Sequence, residues 1–351
     1  MSMRQIAEEA GVSLMTVSLA LRHSARISAA TRERIHAIAK ARGYVPNPRL
    51  GALMNEVRRS RVSGAQAVLG LVSLYPEAEP AERIPHLGLI ARGAQARARE
   101  LGYRLEKFWL RAPGMTPRRL RGVLEARGVS GLLCLGSLLL GEEFPRDFER
   151  FSLVTMGLSI ATHLHRVANH HQHDAMLLHS RLAARGYRRP GLLIKPDWEV
   201  RTGYCFSATC LLFQERTEGR MTVPVIRSDE FDAAAINRWL DKFRPDVIIL
   251  NQPVPFYAQL EALLRARRLK VPRDIGVAFS GSQLVKEFYA GVGQDHELIG
   301  RCGIDMLAGR IQQRDVGFPL KPKTEFVEGM WIEGESIRSA SHRVAPVWMP
   351  G

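Results

Sequence analysis

The sequence predicts an all-α segment followed by a larger α/β body, in which parallel sheets are flanked by helices. Three observations predict this division of the 351 residues. Apolar residues recur at helical spacing over the first forty positions, and short apolar runs alternate with helical periods after residue 67. Between the two patterns, residues 58–67 are small, polar and charged, which is typical of a linker. The length fits two or three domains.

The first twenty-two residues contain two short helical patterns joined by a tight turn. Each pattern has a single apolar stripe, formed by Ile6, Ala7 and Ala10 in the first and by Val17, Ala20 and Leu21 in the second. Gly11 stands where the first helix ends and a positive φ is needed, and Ser13 is suited to cap the second helix. This pattern indicates a helix-turn-helix, the geometry that places one helix in the major groove of DNA. An ordinary helical hairpin is the alternative.

Positive charge is concentrated around these helices. The formal net charge of the chain is +15, and residues 1–63 hold eleven Lys and Arg against four Glu. A local excess of this kind is the electrostatic footprint of phosphate binding, which favours DNA as the partner. The four cysteines include no C-x-x-C pair, and we therefore expect neither a zinc ribbon nor a disulfide framework.

Ser28 predicts the start of a third helix. The apolar stripe of this helix contains Ile35, Ile38 and Ala39. Gly43 ends the pattern, and the prolines of residues 44–48 prevent its continuation because residues before proline avoid the α region. We therefore assign residues 1–45 to a helix-turn-helix DNA-binding domain, and residues 46–63 to a short basic hinge helix with a linker.

Short apolar runs in the rest of the chain predict buried strands. They are Val68–Leu74, Gly131–Leu135, Leu153–Met156, Gly191–Ile194, Val223–Ile226, Val247–Leu250 and Ile275–Phe279. Helical patterns lie between them, which favours parallel sheets with helices on both faces. In two places, Gly102-Tyr103 and Gly186-Tyr187, a glycine closes a helix and an aromatic residue leads toward a strand. We therefore expect two similar lobes, with a ligand-binding cleft beyond the carboxyl ends of their strands.

The N-terminal motifs closely resemble the signature of the lactose-repressor (LacI) family. The matching strings are Ile6-Ala7-x-x-Ala10-Gly11-Val12-Ser13-x-x-Thr16-Val17-Ser18-x-x-Leu21, Ser28-x-x-Thr31-Arg32-x-x-Ile35 and Gly43-Tyr44-x-Pro46-Asn47. Looser matches follow at Val271-Pro272-x-Asp274-Ile275, Gln294-Asp295 and Gly334-Glu335-Ser336. The resemblance implies a homodimeric transcription regulator, in this family most often a repressor, that binds a near-palindromic operator in double-stranded DNA. The scattered cysteines and the lack of an evident signal peptide favour a cytoplasmic protein.

The resemblance also implies a periplasmic-binding-protein-like sensor for a small molecule, with a carbohydrate as the expected class. We assign residues 64–337 to this sensor and residues 338–351 to a C-terminal tail. The expected N-lobe consists of about residues 64–162 and 290–322, and the expected C-lobe of about residues 163–289 and 323–337. No cofactor is expected. No signal peptide is evident, and the apolar run over residues 129–140 is too short to span a bilayer, so we expect no membrane association.

On the DNA side, the positions that read base edges in family members hold Leu14, Met15, Leu19 and Arg22. The three apolar side chains cannot hydrogen-bond a guanine or adenine edge, but they suit contact with thymine methyl groups. Packing against protein is the alternative for these three, and Arg22 stands where it can reach either a base or a phosphate. The residues suited to phosphate contacts, which position the protein without reading sequence, are Ser13, Thr16, Ser18, Arg26, Thr31 and Arg32.

In the hinge, family members fold a short helix on DNA and press a leucine into the minor groove. Leu53 corresponds to that leucine by its distance from Pro46-Asn47, and Leu50 stands where a small alanine is usual. Such a wedge unstacks a base step and kinks the duplex. Gly51 weakens the expected helix by up to about 1 kcal/mol relative to alanine. Leu50 and Leu53 are therefore the expected minor-groove contacts.

In the sensor, the resemblance implies that Arg201 clamps the ligand and that Asn251, at a strand end, hydrogen-bonds it. Ser282 and the glycine before it replace an acidic pair that grips sugar hydroxyls in family members. Aromatic residues that offer stacking faces, although such residues as often belong to the core, are Tyr75, Trp198 and Phe256. The expected effector-binding residues are Tyr75, Trp198, Arg201, Asn251 and Ser282.

Six of the eleven histidines lie within residues 163–179. They are His163, His165, His170, His171, His173 and His179. We expect this segment to run from a loop into a helix, on which His170 and His173 face alike while the others diverge. A solvated, pH-sensitive face is the favoured interpretation, without a metal; a transition-metal site is the alternative.

Two other functions stay open. One is a regulator whose degenerate sensor answers to a protein partner, which the missing acidic pair keeps open. The other is an α/β enzyme with an incidental basic N-terminus. Against the enzyme, the chain contains no G-x-x-x-x-G-K-[ST] loop, no G-x-S-x-G elbow and no G-x-G-x-x-G after its first strand.

Overall fold

The structure is a computed structural model that describes residues 3–21, 27–42, 67–82, 84–217, 222–251, 254–282 and 288–339. The chain divides into two compact units, residues 1–65 and 66–351. In the described residues the first unit consists of three helices, and the second consists of two six-stranded sheets with helices packed against them. The predicted fold class is therefore confirmed. None of the helices that the structure describes is long and apolar enough to cross a membrane.

The helical unit is a small three-helix domain with one core. Its helices are α1 (Met3–Ala10), α2 (Leu14–Ala20) and α3 (Ala29–Ala41). The buried side chains of its core are Ile6, Ala7, Ala10, Val17, Ala20, Ile35 and Ala39. Ser13 Oγ accepts the backbone N–H of Thr16 at 3.1 Å, and Ser28 Oγ accepts that of Thr31 at 3.3 Å. Gly11 has a φ of +61°. Both predicted helix starts and the predicted turn are confirmed.

The α/β unit follows a regular alternation of strands and helices. In chain order its elements are β1 (Ala67–Ser73), α4 (Pro85–Glu100), β2 (Tyr103–Trp109), α5 (Pro117–Ala126), β3 (Val129–Cys134), β4 (Ser152–Met156), β5 (His165–Asn169), α6 (His171–Ala183), β6 (Pro190–Ile194), α7 (Pro196–Arg201), α8 (Cys205–Thr217), β7 (Ile226–Arg227), α9 (Ala233–Phe243), β8 (Val247–Asn251), α10 (Val254–Ala266), β9 (Gly276–Ser282), β10 (Ala290–Gln294), α11 (His296–Gln313), β11 (Thr324–Val327) and β12 (Met330–Ile332).

The strands form two sheets that are almost entirely parallel. The first sheet has the order β11-β5-β4-β3-β1-β2, and all its neighbours are parallel. The second has the order β12-β10-β9-β8-β6-β7, in which only β12 runs antiparallel to its neighbour. The inner strands β4, β6, β8 and β10 are buried along their whole length. Burial on both faces explains why such strands read as continuous apolar runs.

The predicted strands fail mainly at the edges of the sheets. The strands that were not predicted are β2, β5, β10, β11 and β12, and the predicted strand Val223–Ile226 is replaced by the two-residue β7. Of these, β2, β7, β11 and β12 are the four outermost strands. In β2, exposed Arg104 and Lys107 interrupt the apolar pattern. An edge strand has a neighbour on one side only, so its sequence need not be uniformly apolar.

The chain crosses between the two sheets three times. After β5 it enters α6, which packs with the second sheet; after β10 it enters α11, which packs on the first; and β11 leads to β12. We call the first sheet with α4, α5 and α11 the first lobe, and the second sheet with α6–α10 the second lobe. The expected lobe boundaries at residues 163, 290 and 323 each fall one strand too early. Strand partners depend on tertiary context, which local periodicity does not report.

Helices α4 and α11 cross at very close range in the first lobe. A Cβ added to Gly300 would lie 2.0 Å from the carbonyl oxygen of Ile90, and one added to Gly93 would lie 2.0 Å from that of Glu297. Any larger residue would therefore force the two backbones apart. The glycines thus bring the middle of α4 against the first turns of α11.

Candidate functional sites

Side chains of α3 close the ends of both helices of the helix-turn-helix. Arg34 Nη2 donates to the carbonyl oxygen of Ala10, the last residue of α1, at 3.0 Å. His36 Nε2 lies 3.1 Å from the carbonyl oxygen of Ala20, the last residue of α2. Carbonyl groups at helix ends lack partners within the helix, so these contacts satisfy them and hold α1 and α2 on α3.

The described residues expected to contact phosphates lie at two helix starts. The hydroxyl oxygens of Ser13 and Thr16 are 2.9 Å apart at the start of α2, and Ser28 Oγ donates to Thr31 Oγ1 at 2.9 Å at the start of α3. Free backbone N–H groups at a helix start attract phosphate. Arg32 and Leu19 are partly exposed.

Other expected DNA contacts lie beyond what the structure describes. Leu14, Met15 and Ser18 are on α2, but their side chains are outside the described part of the chain, and Arg22 and Arg26 are outside it entirely. The same holds for the hinge residues Leu50 and Leu53. The roles of these residues remain predictions.

The expected effector-binding residues all lie near the carboxyl ends of strands. Tyr75 follows β1, Trp198 and Arg201 lie on α7 directly after β6, Asn251 ends β8, and Ser282 ends β9. The side chain of Ser282 is outside the described part. Ligands of parallel α/β sheets bind beyond the carboxyl ends of the strands, which is the edge where these residues lie.

Three side chains chosen from the sequence have structural partners instead of open faces. Tyr75 is buried in the core of the first lobe. Asn251 Nδ2 donates to the carbonyl oxygen of Ser280 on the neighbouring strand at 3.0 Å. Phe256 is buried and meets Phe231 edge-on, with 5.4 Å between the ring centroids. These contacts give each of the three side chains a role in packing or strand pairing.

Arg201 connects the two lobes. Its Nη2 donates to the carbonyl oxygen of Leu138, which follows β3 of the first lobe, at 3.0 Å. Its guanidinium carbon lies 6.0 Å from the ring centroid of Trp198 on the same helix. The Nε of Arg201 and the indole Nε1 of Trp198 are both buried and have no hydrogen-bond partner. Both groups are donors only, and an acceptor placed here would satisfy them.

Three histidines lie near Trp198 and Arg201, and the sequence did not predict this position for any of them. His86 is the second residue of α4, His171 is the first residue of α6, and His296 is the first residue of α11. The rings of His86 and His296 are 5.0 Å apart, and the ring of His171 meets that of Trp198 at 5.3 Å. We call His86, His171, Trp198, Arg201 and His296 the crossing cluster.

Each histidine of the crossing cluster has a lowered pKa. The pKa of His86 is lowered to about 4, mainly by burial, with contributions from His296 and Arg201. Burial also lowers the pKa of His171 to about 4, with contributions from His296, His170 and Arg201. The pKa of His296 is lowered by burial as well. All three rings are therefore neutral at pH 7.

A buried carboxylate joins the three points where the chain crosses between lobes. Asp174, on the first turns of α6, is fully buried. Its Oδ2 accepts from Gln294 Nε2 at the end of β10 at 2.8 Å, and its Oδ1 accepts from the backbone N–H of Gly329 between β11 and β12 at 2.9 Å. Gln294 Nε2 also lies 3.1 Å from His171 Nδ1. Since an amide nitrogen only donates, His171 Nδ1 accepts, and the ring proton is on Nε2.

The expected histidine-rich face is wrong in its environment. Residues 165–169 form a buried strand instead of a loop, His170 caps α6, and His165, His171 and His179 are buried. Burial lowers the pKa of His179 to about 4. In the part of the chain that the structure describes, no three His, Cys, Asp or Glu side chains are grouped so as to hold a metal ion. The sequence did contain a signal for the positions of two buried histidines: His171 and His296 directly follow N-cap residues and therefore stand at helix starts.

The helix-turn-helix matches a known family. Residues 2–47 match the model of bacterial regulatory proteins, lacI family. The chain is also 42% identical over 77 residues to the HTH-type transcriptional regulator RafR of Escherichia coli. This match covers 22% of the chain and spans only about a fifth of the relative, 20% of its length.

The whole fold is similar to solved structures of regulators. A transcriptional regulator CelR–cellobiose complex has a TM-score of 0.54 at 21% identity, over 96% of this chain and 99% of that one. A lac repressor dimer bound to operator and the anti-inducer ONPF has a TM-score of 0.55 at 16% identity, over 97% and 99%. A LacI-family regulator from Rhizobium etli reaches 0.61 at 18% identity, over 78% and 100%. At such identities the likeness shows the fold. Residues 2–47 thus match the lacI family of bacterial regulatory proteins, and the chain shares the fold of these solved structures.

Proposed function

We propose that this chain is a transcriptional repressor that binds a near-palindromic DNA operator as a homodimer. The observation that carries the proposal is the helix-turn-helix of residues 3–42, with both helix starts capped by serine and the family match over residues 2–47. The excess of positive charge in residues 1–63 supports DNA as the partner. Two-fold symmetry of the protein requires matching half-sites in the DNA.

Base reading is proposed to rest on apolar contacts. Leu14, Met15 and Leu19 belong to the helix expected in the major groove, where a thymine methyl group is the apolar feature that they can contact. Arg22 supplies the polar base contact. The proposed phosphate contacts are Ser13, Thr16, Ser18, Arg26, Thr31 and Arg32, and the proposed minor-groove contacts are Leu50 and Leu53.

A small molecule bound between the two lobes is proposed to control operator binding. Arg201 and Trp198 support this location, since they lie between the lobes with buried donors that lack a partner. The cellobiose complex of a structural neighbour supports a sugar-like molecule. A ligand that binds one arrangement of the lobes more tightly than another changes operator affinity by the same coupling energy.

Selection of binding sites from random DNA, followed by footprinting, tests the DNA-binding proposal. The full chain is expected to protect a two-fold symmetric site, and Arg22→Gln is expected to weaken binding about tenfold or more. Arg181→Gln removes the same charge from an exposed position on α6 and serves as the control, with unchanged affinity. If no symmetric sequence is enriched, the proposal is wrong.

Modified operators test the apolar reading separately. Replacing thymine by uracil in the half-sites removes only the methyl groups and is expected to lower affinity, whereas the same replacement outside the half-sites is not. Leu53→Ala is expected to weaken specific binding in a gel-shift titration because the wedge is lost. Unchanged affinity for the uracil operator contradicts the methyl contacts and leaves DNA binding in place.

A further inference from the structure

The crossing cluster brings together buried nitrogen atoms that lack hydrogen-bond partners. His296 is only 6% exposed, and its Nδ1 has no partner. The Nε of Arg201 and the Nε1 of Trp198 are also buried and have no hydrogen-bond partner. Leaving a buried polar group unpaired costs free energy, and native proteins keep few such groups. Three of them in one cluster, on both sides of a lobe boundary, indicate that a ligand completes their hydrogen bonding.

The charge of the cluster selects the kind of ligand. His86, His171 and His296 stand at the starts of helices of sixteen, thirteen and eighteen residues, where the helix dipole is positive. Arg201 adds a full positive charge to the same place. His296 and Arg201 both oppose positive charge on His86 and on His171, which shows that the fields of these groups overlap. Such a site favours a negatively charged group.

The nearest carboxylates offset only part of this field, and each already accepts hydrogen bonds from other groups. Asp174 is bound by Gln294 and Gly329. Asp295 accepts the backbone N–H of Leu298 as the N-cap of α11. Farther along α7, Glu199 accepts from Ser207 at 2.6 Å and pairs with Arg227 at 3.2 Å. Two titratable neighbours act on the cluster: Asp295 works against the lowering of the pKa of His296, and His170 opposes the charging of His171.

We propose that the effector of this regulator carries an anionic group, a carboxylate or a phosphate, which binds Arg201, Trp198 and His296, and that binding is coupled to proton uptake by the histidines of the crossing cluster. The inference rests on the proposed control by a small molecule and names its chemistry. An anion beside a neutral imidazole favours the charged ring and raises its pKa, so the complex binds more protons than the free protein. Affinity therefore rises as the pH falls, by up to about tenfold per pH unit for one proton taken up.

Histidine NMR spectra of the full chain test the proposal without knowledge of the natural effector. The probes are sodium acetate and inorganic phosphate, titrated separately at about pH 6 and pH 8, the range in which histidines respond to an added charge. The ring signals are assigned with His86→Gln and His296→Gln. We expect saturable shifts of both signals, tighter binding at the lower pH, and a higher pKa of the rings in the complex. Acetate and phosphate, as separate arms, distinguish a carboxylate from a phosphate ligand.

Arginine variants provide the control for the site. Arg201→Gln is expected to abolish the saturable shifts, Arg201→Lys to weaken binding at least tenfold while it keeps the charge, and Arg181→Gln to leave binding unchanged. If neither anion produces a saturable shift in the unmodified chain, or if the shifts persist in Arg201→Gln, the proposal is wrong. Unfolding temperatures of all variants are recorded so that loss of folding is not taken for loss of binding.

Operator footprinting on the same preparations separates this inference from the proposed function. Operator protection without anion binding overturns the anionic effector and leaves the regulator in place. Anion binding without operator protection overturns the proposed operator binding and leaves the anion site in place. If cellobiose binds tightly and equally at both pH values, and Arg201→Gln prevents its binding, a neutral sugar occupies the site and the anionic effector is wrong.

Discussion

The two lobes present different chemistry at the ends of their strands. In the first lobe, Arg111 donates to the carbonyl oxygen of Leu74 at 2.8 Å and pairs with Glu142, which also accepts from Ser137. In the second lobe, Arg201 donates across to the first lobe while a buried N–H of its own, and that of Trp198, lack partners. One arginine completes hydrogen bonding within its lobe, and the other leaves it incomplete.

This difference separates residues that maintain the fold from residues that recognise a ligand. A surface whose polar groups already bind each other changes little when a ligand arrives, because the ligand would have to replace existing hydrogen bonds. A surface with unpaired donors favours ligand binding, since a ligand there adds hydrogen bonds without breaking existing ones. The second lobe and the crossings are therefore the side of the site expected to determine specificity.

The largest expected effect tests whether the crossings hold the lobes together. Asp174→Ala removes one of the two acceptors of the Gln294 amide and leaves the N–H of Gly329 without its acceptor, which is expected to lower the free energy of unfolding by about 2–5 kcal/mol. Urea unfolding measures this change. Asp197→Ala, at an exposed position on α7, is the control and is expected to stay within about 0.5 kcal/mol. Equal effects of the two substitutions contradict the structural role of Asp174.

The rigidity of the first lobe is tested at the crossing of α4 and α11. Gly300→Ala places a methyl group 2.0 Å from a carbonyl oxygen of α4 and is expected to cost about 1–3 kcal/mol. Gly309→Ala, on the same helix, meets nothing within 4 Å and is expected to stabilise the protein by up to about 1 kcal/mol. Thermal unfolding compares the two, and a neutral Gly300→Ala shows that the helices separate without cost.

Acid sensitivity distinguishes the buried histidines from exposed ones. The pKa values of His171 and His179 fall from 6.5 to about 4 on folding, so the folded state binds fewer protons than the unfolded chain. Stability is thus complete above about pH 7 and is lost as the pH falls toward 4, by about 1.4 kcal/mol per pH unit for each histidine. His179→Leu is expected to reduce this slope, measured by urea unfolding at several pH values. His163→Leu, at an exposed site, should not change it.

The smallest effect on stability sharpens the comparison of the two arginines most directly. Arg111→Gln is expected to lower the free energy of unfolding by about 1 kcal/mol, because the carbonyl of Leu74 loses its donor. Arg201→Gln is expected to change it by less than about 0.5 kcal/mol, because the lost bond to Leu138 is offset by removal of an unpaired buried N–H. Unfolding and ligand titrations are measured together. A larger stability loss for Arg201→Gln reverses the assignment of the two lobes.

Local features of the helical unit could be predicted from the sequence because they depend on neighbouring residues. A serine cap at Ser13 or Ser28 acts on a backbone group three residues away, and Gly11 sets the turn by its own conformation. Gly102 and Gly186, which were predicted to close helices, follow the ends of α4 and α6 and have positive φ. Each of these signals lies within a few residues of its effect.

The crossing cluster could not be predicted because it is assembled from distant parts of the chain. His86 and His296 are separated by 210 positions and meet only because α4 and α11 approach at their glycines. The resemblance to the family led to the prediction of Arg201 as a ligand contact, but it did not point to the histidines around it. It also led to Tyr75 and Asn251, whose side chains are engaged in the core and between strands. A strand-end position predicts proximity to a site, whereas orientation depends on packing.

The hydrogen bonds of Asp174 have a mechanical consequence. A single carboxylate binds Gln294 before the second crossing and Gly329 in the third, and it lies one turn after the first. Any movement of one lobe against the other that preserves these bonds is a rotation about the carboxylate of Asp174. Displacement then grows with the length of the lever arm, so a small rearrangement beside Asp174 produces its largest travel at the far ends of the lobes.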